Sequence, residues 1–291
     1  MKEISRLMDL FLKLGLDGIA WSLRRVYVPV DKNALVLEVG SGGNPYFRSN
    51  VLIDAYLDTR ERHYEKLVAD RPTVLGYVEE LPFKDDSFDF VIASHVLEHS
   101  KDPEKFLSEI QRVARGGYIE VPDAFFERLT CYLDHRLEIT DIDGELIIRK
   151  KKNYIQDPEI REMFLNKASC VFGKWSSRYP FKFNVRYYWS KDTGGIKYKI
   201  VNPEYKFNWE PPETKKIIRK ANLTAKLKRN ILDLIRKYFS QTKRNQNIDI
   251  MKLIMCPNCK NSDFTKTENK VVCNNCKKEY PILKGKIIKF N

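Results

Sequence analysis

The chain reads as an α/β protein: a doubly wound, mostly parallel sheet with a final antiparallel hairpin, followed by a small cysteine-clamped module at its C-terminal end. Three observations predict this. Short apolar runs alternate with helix-like stretches between residues 36 and 122. One of these runs, Val36-Leu37-Glu38-Val39, breaks abruptly into Gly40-Ser41-Gly42-Gly43-Asn44-Pro45, as a strand buried on both faces does when it meets a ligand loop. Two C-x-x-C pairs, Cys256/Cys259 and Cys273/Cys276, stand thirteen residues apart near the end.

With 291 residues there is room for one full α/β domain and a small companion. The formal net charge of +13 favours an anionic partner. No run of about 18 apolar residues occurs, so a transmembrane segment is not expected, and residues 1–20 lack the pattern of a signal peptide. A cytoplasmic protein is the expectation. The four paired cysteines have metal spacing, which leaves Cys131 and Cys170 as plain buried thiols.

In chain order, Ile4, Leu7, Met8, Leu10, Phe11, Leu14, Ile19 and Leu23 recur near helical spacing and predict a helix or helix pair packed on the sheet. Val51-Leu52-Ile53-Asp54 reads as a second strand, so close to the first that only a turn fits between them. Residues 72–78 give a third strand, the turn-rich run 79–89 a connection, and Phe90-Val91-Ile92-Ala93-Ser94 a fourth. Asp102-Pro103 starts a helix with Phe106, Leu107, Ile110 and Val113 on one face; Gly116-Gly117 stops it, and residues 118–122 make a fifth strand. Further on, Asp143-Gly144 sits between alternating segments as a hairpin turn, and residues 185–189 and 196–201 predict the hairpin that completes the main sheet.

The ordered set E-V-G-S-G (38–42), L-P-F-x-x-x-S-F-D (81–89), H-V-L-E-H (95–99), D-P (102–103), E-I-x-R-V (109–113) and G-G-Y-I-E-V-P (116–122) resembles the class I S-adenosylmethionine (SAM) dependent methyltransferases, in their small-molecule and glycan-modifying branch. The resemblance covers about residues 33–123 and implies a Rossmann-like methyltransferase sheet with SAM as cofactor. It places Glu38, Gly40, Ser41 and Gly42 at the methionine end of SAM and Asp54 on the ribose hydroxyls. Val78, Glu79 and Leu81 would lie about the adenine, with Ser94 at the end of the fourth strand. The family commonly has an acid where Tyr77 stands, so Glu79 is the candidate for the adenine amino group.

Methyl transfer from a sulfonium needs in-line positioning more than catalytic groups, although a hydroxyl acceptor needs a base near neutral pKa. His95 and His99, just past the fourth strand, are the candidates, with His135-Arg136 at the start of a presumed lid (125–184) as a second base or acceptor-binding candidate. His99 could equally cap the helix at Asp102. No [DN]-P-P-[YF] motif follows the fourth strand, which counts against N-methylation of a base or glutamine.

Between residues 215 and 244 there are eleven Lys or Arg and one acid, a local balance of +10. With apolar positions at helical spacing, the segment reads as a basic amphipathic linker (213–250) that packs on the main domain or meets RNA or an anionic membrane surface. The two C-x-x-C pairs suit a four-thiolate, structural Zn²⁺ site, and the flanking C-P-x-C-K, V-V-C-N-N-C and Y-P-I-L-K-G-K-I resemble the small zinc-ribbon family that includes methyltransferase activators. The expected organisation is 1–212 as the methyltransferase domain, 213–250 as linker and 251–291 as zinc ribbon. The expected function is O-methylation of a sugar, glycan intermediate or other small anionic acceptor. The alternatives are methylation of RNA or a translation protein, and a non-catalytic zinc-ribbon adaptor with a degenerate SAM fold.

Overall fold

The computed structural model describes residues 3–59, 65–212, 233–236 and 238–291. Five strands, β1 (Val36–Val39), β2 (Val51–Asp54), β3 (Thr73–Leu75), β4 (Phe90–Ser94) and β5 (Gly116–Pro122), pair in parallel in the order 3-2-1-4-5. Every residue of β1, β2, β3 and β5 is buried, which is why they read as apolar runs without alternation. The order reverses between β1 and β4, so the loops leaving their carboxyl ends diverge and open a crevice. Only turns join β1 to β2. Asp102 caps the helix after β4 by accepting from Lys105 N–H at 3.0 Å, and Phe106, Leu107, Ile110 and Val113 face the core, so His99 is not the cap. Gly116-Gly117 opens β5 instead of ending that helix. A Cβ on Gly117 would come within 2.6 Å of Trp189 Nε1, so the glycine lets the indole close on the strand.

The second hairpin divides between two sheets. Strand β8 (Asn184–Ser190) lies antiparallel along β5, while β9 (Tyr198–Ile200) leaves the main sheet and runs parallel to β7 (Glu145–Lys150). Side chains take the backbone donors that a hairpin would use: Ile196 N–H donates to Gln111 Oε1 at 2.8 Å and Lys197 N–H to Tyr187 Oη at 2.9 Å. The Asp143-Gly144 turn does form, both residues at positive φ, between β6 (Leu137–Ile142) and β7. The small β6-β7-β9 sheet thereby stands beside the carboxyl edge of the main one.

The N-terminal helices, Arg6–Lys13 and Asp17–Leu23, form as the spacing predicts, but they bury only Met8 and Ala20. Leu7, Leu10, Leu14 and Ile19 are exposed, because the second helix packs sideways through Trp21 on Phe181, ring centroids 5.1 Å apart. Cys131 is buried, whereas Cys170 is exposed.

The cysteine module continues the main sheet. Strands β10 (Phe264–Lys266), β11 (Lys270–Cys273), β12 (Glu279–Leu283) and β13 (Ile287–Lys289) are antiparallel neighbours, and β13 then pairs in parallel with β3, making ten strands in all. Ile254, Val271, Tyr280 and Ile288 share one core with Leu37, Val74 and Phe83. Most of the basic linker, 213–232, lies outside the described residues. Its end packs on the main domain: Asn50 Nδ2 donates to Gln241 Oε1 at 2.9 Å and Asn245 Oδ1 at 2.8 Å, and Arg71 Nη2 to Ser240 Oγ at 3.0 Å. No helix among the described residues is long and apolar enough to cross a membrane.

Candidate active site and metal centre

The loop after β1 is fixed by glycine and one carboxylate. Gly40 and Gly42 hold φ of 64° and 57°, and a Cβ on Gly40 would fall 2.6 Å from Val96 Cγ2, so both backbone and packing require glycine there. Gly42 N–H donates to Asp54 Oδ2 at 2.9 Å and Tyr56 N–H to Asp54 Oδ1 at 3.0 Å; Asp54 therefore locks the loops after β1 and β2 together. Ser41 Oγ is buried with no hydrogen-bond partner among the described residues.

Glu38 braces the far part of this connection from below, away from the glycine turn. It is 3% exposed, and its Oε2 accepts from Tyr46 N–H at 2.8 Å and Ser49 Oγ at 2.7 Å. Burial pushes its pKa up to about 7, with those bonds and nearby Arg25 and Arg71 pulling partly back. The folded chain thus binds this proton more tightly than the unfolded one, whose carboxyl titrates near 4.5. Stability is full below about 4.5 and falls as pH rises to about 7, by on the order of 3 kcal/mol. Glu38→Gln keeps an acceptor for both donors and removes the titration. Melting curves between pH 5 and 8 should show the wild type losing stability over that window and the variant losing correspondingly less; parallel curves would refute this reading.

A cavity of about 1000 Å³ opens at the carboxyl edge of β1, β2 and β4. Gly40, Val78 and Glu79 of the expected cofactor residues line it, together with His99 of the expected catalytic ones. Tyr56 and Tyr77, edge-to-face with centroids 6.0 Å apart, form another wall; Lys101, Lys105 and Arg136 contribute cationic groups, Lys101 and Arg136 paired with Glu210, and Asp58, Glu79, Glu80 and Asp102 contribute carboxylates. Glu79 Oε1 accepts from Ser100 Oγ at 2.5 Å, tying the turn after β3 to the turn after β4. Leu81 belongs to the core rather than the wall, and Ser94 Oγ donates to Glu120 Oε1 at 2.9 Å. Arg136 was a sequence candidate as the neighbour of His135 and lines the cavity. Tyr77 was visible only as a departure from the family pattern, and Tyr56 carried no local signal.

The three histidines have different settings. His95, at φ 56°, places Nε2 3.2 Å from Glu120 Oε1 and Nδ1 3.4 Å from Glu98 Oε1. Desolvation lowers its pKa, but the two carboxylates prevail and raise it to about 9. His99 and His135 meet edge-to-face with centroids 4.8 Å apart. His99 Nδ1 stands 3.1 Å from the Asp134 carbonyl oxygen, and His135 Nδ1 2.7 Å from Glu127 Oε2.

At the other end, the four cysteine sulfurs lie within 4.8 Å of one another, with Cys256–Cys276 at 3.6 Å and Cys259–Cys273 at 3.5 Å. Tetrahedral zinc with bonds near 2.3 Å sets sulfurs about 3.8 Å apart, so the donor set fits that ion. Tyr280 Oη sits 3.0 Å from Cys256 Sγ as a supporting hydrogen-bond partner.

Against known proteins, residues 37–120 match the family described as "Methyltransferase domain". That match takes in the run of the chain from β1 to β5. A methyltransferase domain of this kind implies SAM as the methyl donor. An uncharacterized protein of Methanocaldococcus jannaschii is 50% identical over 47 residues, 16% of this chain and 23% of that protein. Ajmaline N-methyltransferase of Rauvolfia serpentina is 42% identical over 43 residues, 15% of either chain. These matches therefore span less than a quarter of each relative. Among solved structures, a complex between the Haloferax volcanii Trm112 methyltransferase activator and a methyltransferase aligns at 16% identity, covering 46% of this chain and 77% of that one with a TM-score of 0.28. The β1 loop and most of the cavity wall fall within the domain, while Arg136 and His135 fall beyond it.

Proposed function

We propose that the protein transfers a methyl group from SAM to an oxygen of a small acceptor, a sugar, glycan intermediate or other small anionic molecule. The observation that carries this is the union of the methyltransferase-domain match with a cavity that begins at Gly40 and ends at the ion-paired Lys101, Arg136 and Glu210. The glycine turn, the partnerless Ser41 hydroxyl and the Tyr56/Tyr77 pair fit a nucleoside-bearing cofactor. SAM supplies an activated methyl whose sulfur leaves as a neutral thioether.

The chain's own residues bind and align. Gly40 and Gly42 let the backbone approach the methionine end, and Asp54 braces that loop through the Gly42 and Tyr56 amides. Val78, Glu79 and the two tyrosines frame the base. An anionic acceptor would compete with Glu210 for Lys101 and Arg136. Glu38, Leu81 and Ser94 act from behind the wall, holding the loops in place. The four cysteines hold a structural zinc, with no position left over for catalytic water. Methylation of RNA or a translation protein, or contact with an anionic membrane, would draw on the basic segment, most of which lies outside the described residues.

Calorimetry with SAM tests the central claim, and absence of binding by the purified protein would overturn it. Asp54→Ala frees both Gly42 and Tyr56 amides, so its SAM affinity should fall on the order of 10- to 100-fold. Unchanged affinity would remove Asp54 from the site. Methyl-label transfer into cell extract, with and without nuclease, separates a small acceptor from RNA.

A further inference from the structure

Beside the SAM cavity lies a group of side chains that methyl transfer by itself does not require. Glu98, His99 and His135 each offer one ligand atom, and these atoms all lie within 4.8 Å of one another. Glu98 comes from the turn after β4, and its side chain is only 2% exposed. Neither of its carboxylate oxygens has a hydrogen-bond partner of normal geometry among the described residues. His95, 3.4 Å from one of these oxygens, is shared with Glu120, so a buried carboxylate this sparsely supported has room for a further cation to complete it.

The histidines are turned to suit such a cation. A carbonyl oxygen only accepts, so His99 Nδ1, 3.1 Å from the Asp134 carbonyl, carries the hydrogen and leaves Nε2 with its lone pair. His135 Nδ1 faces Glu127 Oε2 at 2.7 Å. The other Glu127 oxygen is paired with Lys151 Nζ at 2.9 Å, with both side chains buried. A carboxylate only accepts, so His135 Nδ1 carries the hydrogen toward Glu127 and Nε2 is the nitrogen left to face a ligand. An outer carboxylate or carbonyl that fixes the tautomer of a ligating imidazole is the usual support of a metal-bound histidine. On the far side, His95 stands 3.4 Å from Glu98 Oε1 and borders the third donor.

We propose that Glu98, His99 and His135 form a second metal site, for a divalent first-row transition ion, distinct from the four-cysteine centre. Two imidazoles and one carboxylate suit zinc, cobalt, iron or manganese better than magnesium or calcium, which prefer all-oxygen shells. Three protein ligands leave coordination positions open. His99 is also a wall residue of the cavity, so the open side borders the space assigned to the acceptor. Resting on the methyltransferase reading, this narrows the acceptor to molecules with oxygens that bind such an ion, a hydroxyl pair or a hydroxyl beside a carboxylate. It also gives His99 and His135 a role as ligands in place of a general base.

The test uses full-length protein that retains its zinc, titrated with Co²⁺ and followed by visible absorption, with SAM calorimetry on the same preparation. One Co²⁺ per chain should bind with the weak d–d bands of nitrogen and oxygen ligands and without the near-ultraviolet thiolate charge-transfer band. His99→Gln and His135→Gln should each lower Co²⁺ affinity at least 10-fold while zinc content stays at one per chain. Glu127→Gln, which keeps all three ligands, should weaken binding by about 10- to 100-fold and keeps the question open to refutation if a ligand variant does not fold. The inference is overturned if wild-type protein takes up Co²⁺ only with the thiolate band, or if the folded variants bind as the wild type does. Failure of Co²⁺ binding with SAM binding intact refutes this site alone. Co²⁺ binding without SAM binding refutes the methyltransferase reading and leaves the metal site standing.

Discussion

Cys256→Ser should lower the melting temperature of the whole chain, not only unfold its last forty or so residues. A module of that size has too little core to fold without a clamp, and structural zinc contributes about 10–16 kcal/mol of binding free energy in comparable small domains. Here the clamp is coupled to the main sheet. Strand β13 pairs with β3 through Ile288↔Val74 and Lys289↔Leu75, and Phe290 N–H donates to the Leu75 carbonyl at 2.8 Å. Lys84 N–H and Met255 N–H make a second seam, to the Leu253 and Pro82 carbonyls at 2.9 and 3.0 Å. Once the four-cysteine clamp is lost, β3 becomes an unprotected edge beside β2, and buried Ile254, Tyr280 and Ile288 lose their packing. If 3–5 kcal/mol of that loss reaches the main domain, the transition should move by on the order of 10 °C. Calorimetric melting of the variant, and of wild type treated with chelator, should show one transition at lower temperature together with weaker SAM binding. An unchanged main transition in both would establish that the ribbon is energetically independent and refute the coupling.

What could be read from the sequence follows from how local each cause is. The five parallel strands were legible because burial on both faces leaves continuous apolar runs. The Asp143-Gly144 hairpin and the cysteine pairs were legible because each is specified within a few residues. The fate of residues 196–201 was not, because Gln111, 85 positions before Ile196, captures its backbone donor. Nor was the β13–β3 pairing, which joins Ile288 to Val74 across most of the chain with no charge or turn signal to announce it. At the site, the glycine turn and Asp54 stood out as breaks in pattern. Glu98 and His99 were visible as a motif, yet their relation to His135 required the β6-β7 sheet to fold against the turn after β4. Glu120 was passed over as one polar residue within an apolar strand, since its main partner, Arg24, lies 96 residues away.

Glu120 should nevertheless be among the costliest residues to change. It is fully buried and bound from several directions: Arg24 Nε and Nη2 donate at 2.7 and 3.1 Å, Ser94 Oγ at 2.9 Å, and the Tyr118 hydroxyl closely, with His95 Nε2 at 3.2 Å. Burial favours its protonated form, but His95 and Arg24 overcome this and hold its pKa well below the usual carboxylate range. Glu120→Ala leaves Arg24, itself 8% exposed, as a buried cation facing a cavity, and should cost about 3–5 kcal/mol in urea denaturation. Glu120→Gln preserves shape and most hydrogen bonding, so any loss it shows isolates the charge. Removing both partners in Arg24→Met/Glu120→Gln should recover much of the loss, because the penalty comes from an unpaired charge rather than from a missing attraction. Additive effects in that cycle would refute the pairing. The same substitution should reach the site: His95 sits at positive φ with Glu120 at its Nε2, so the turn that carries Glu98 and His99 loses one of its anchors. Glu120→Gln should therefore weaken Co²⁺ binding at Glu98, His99 and His135 even under conditions where the protein remains folded.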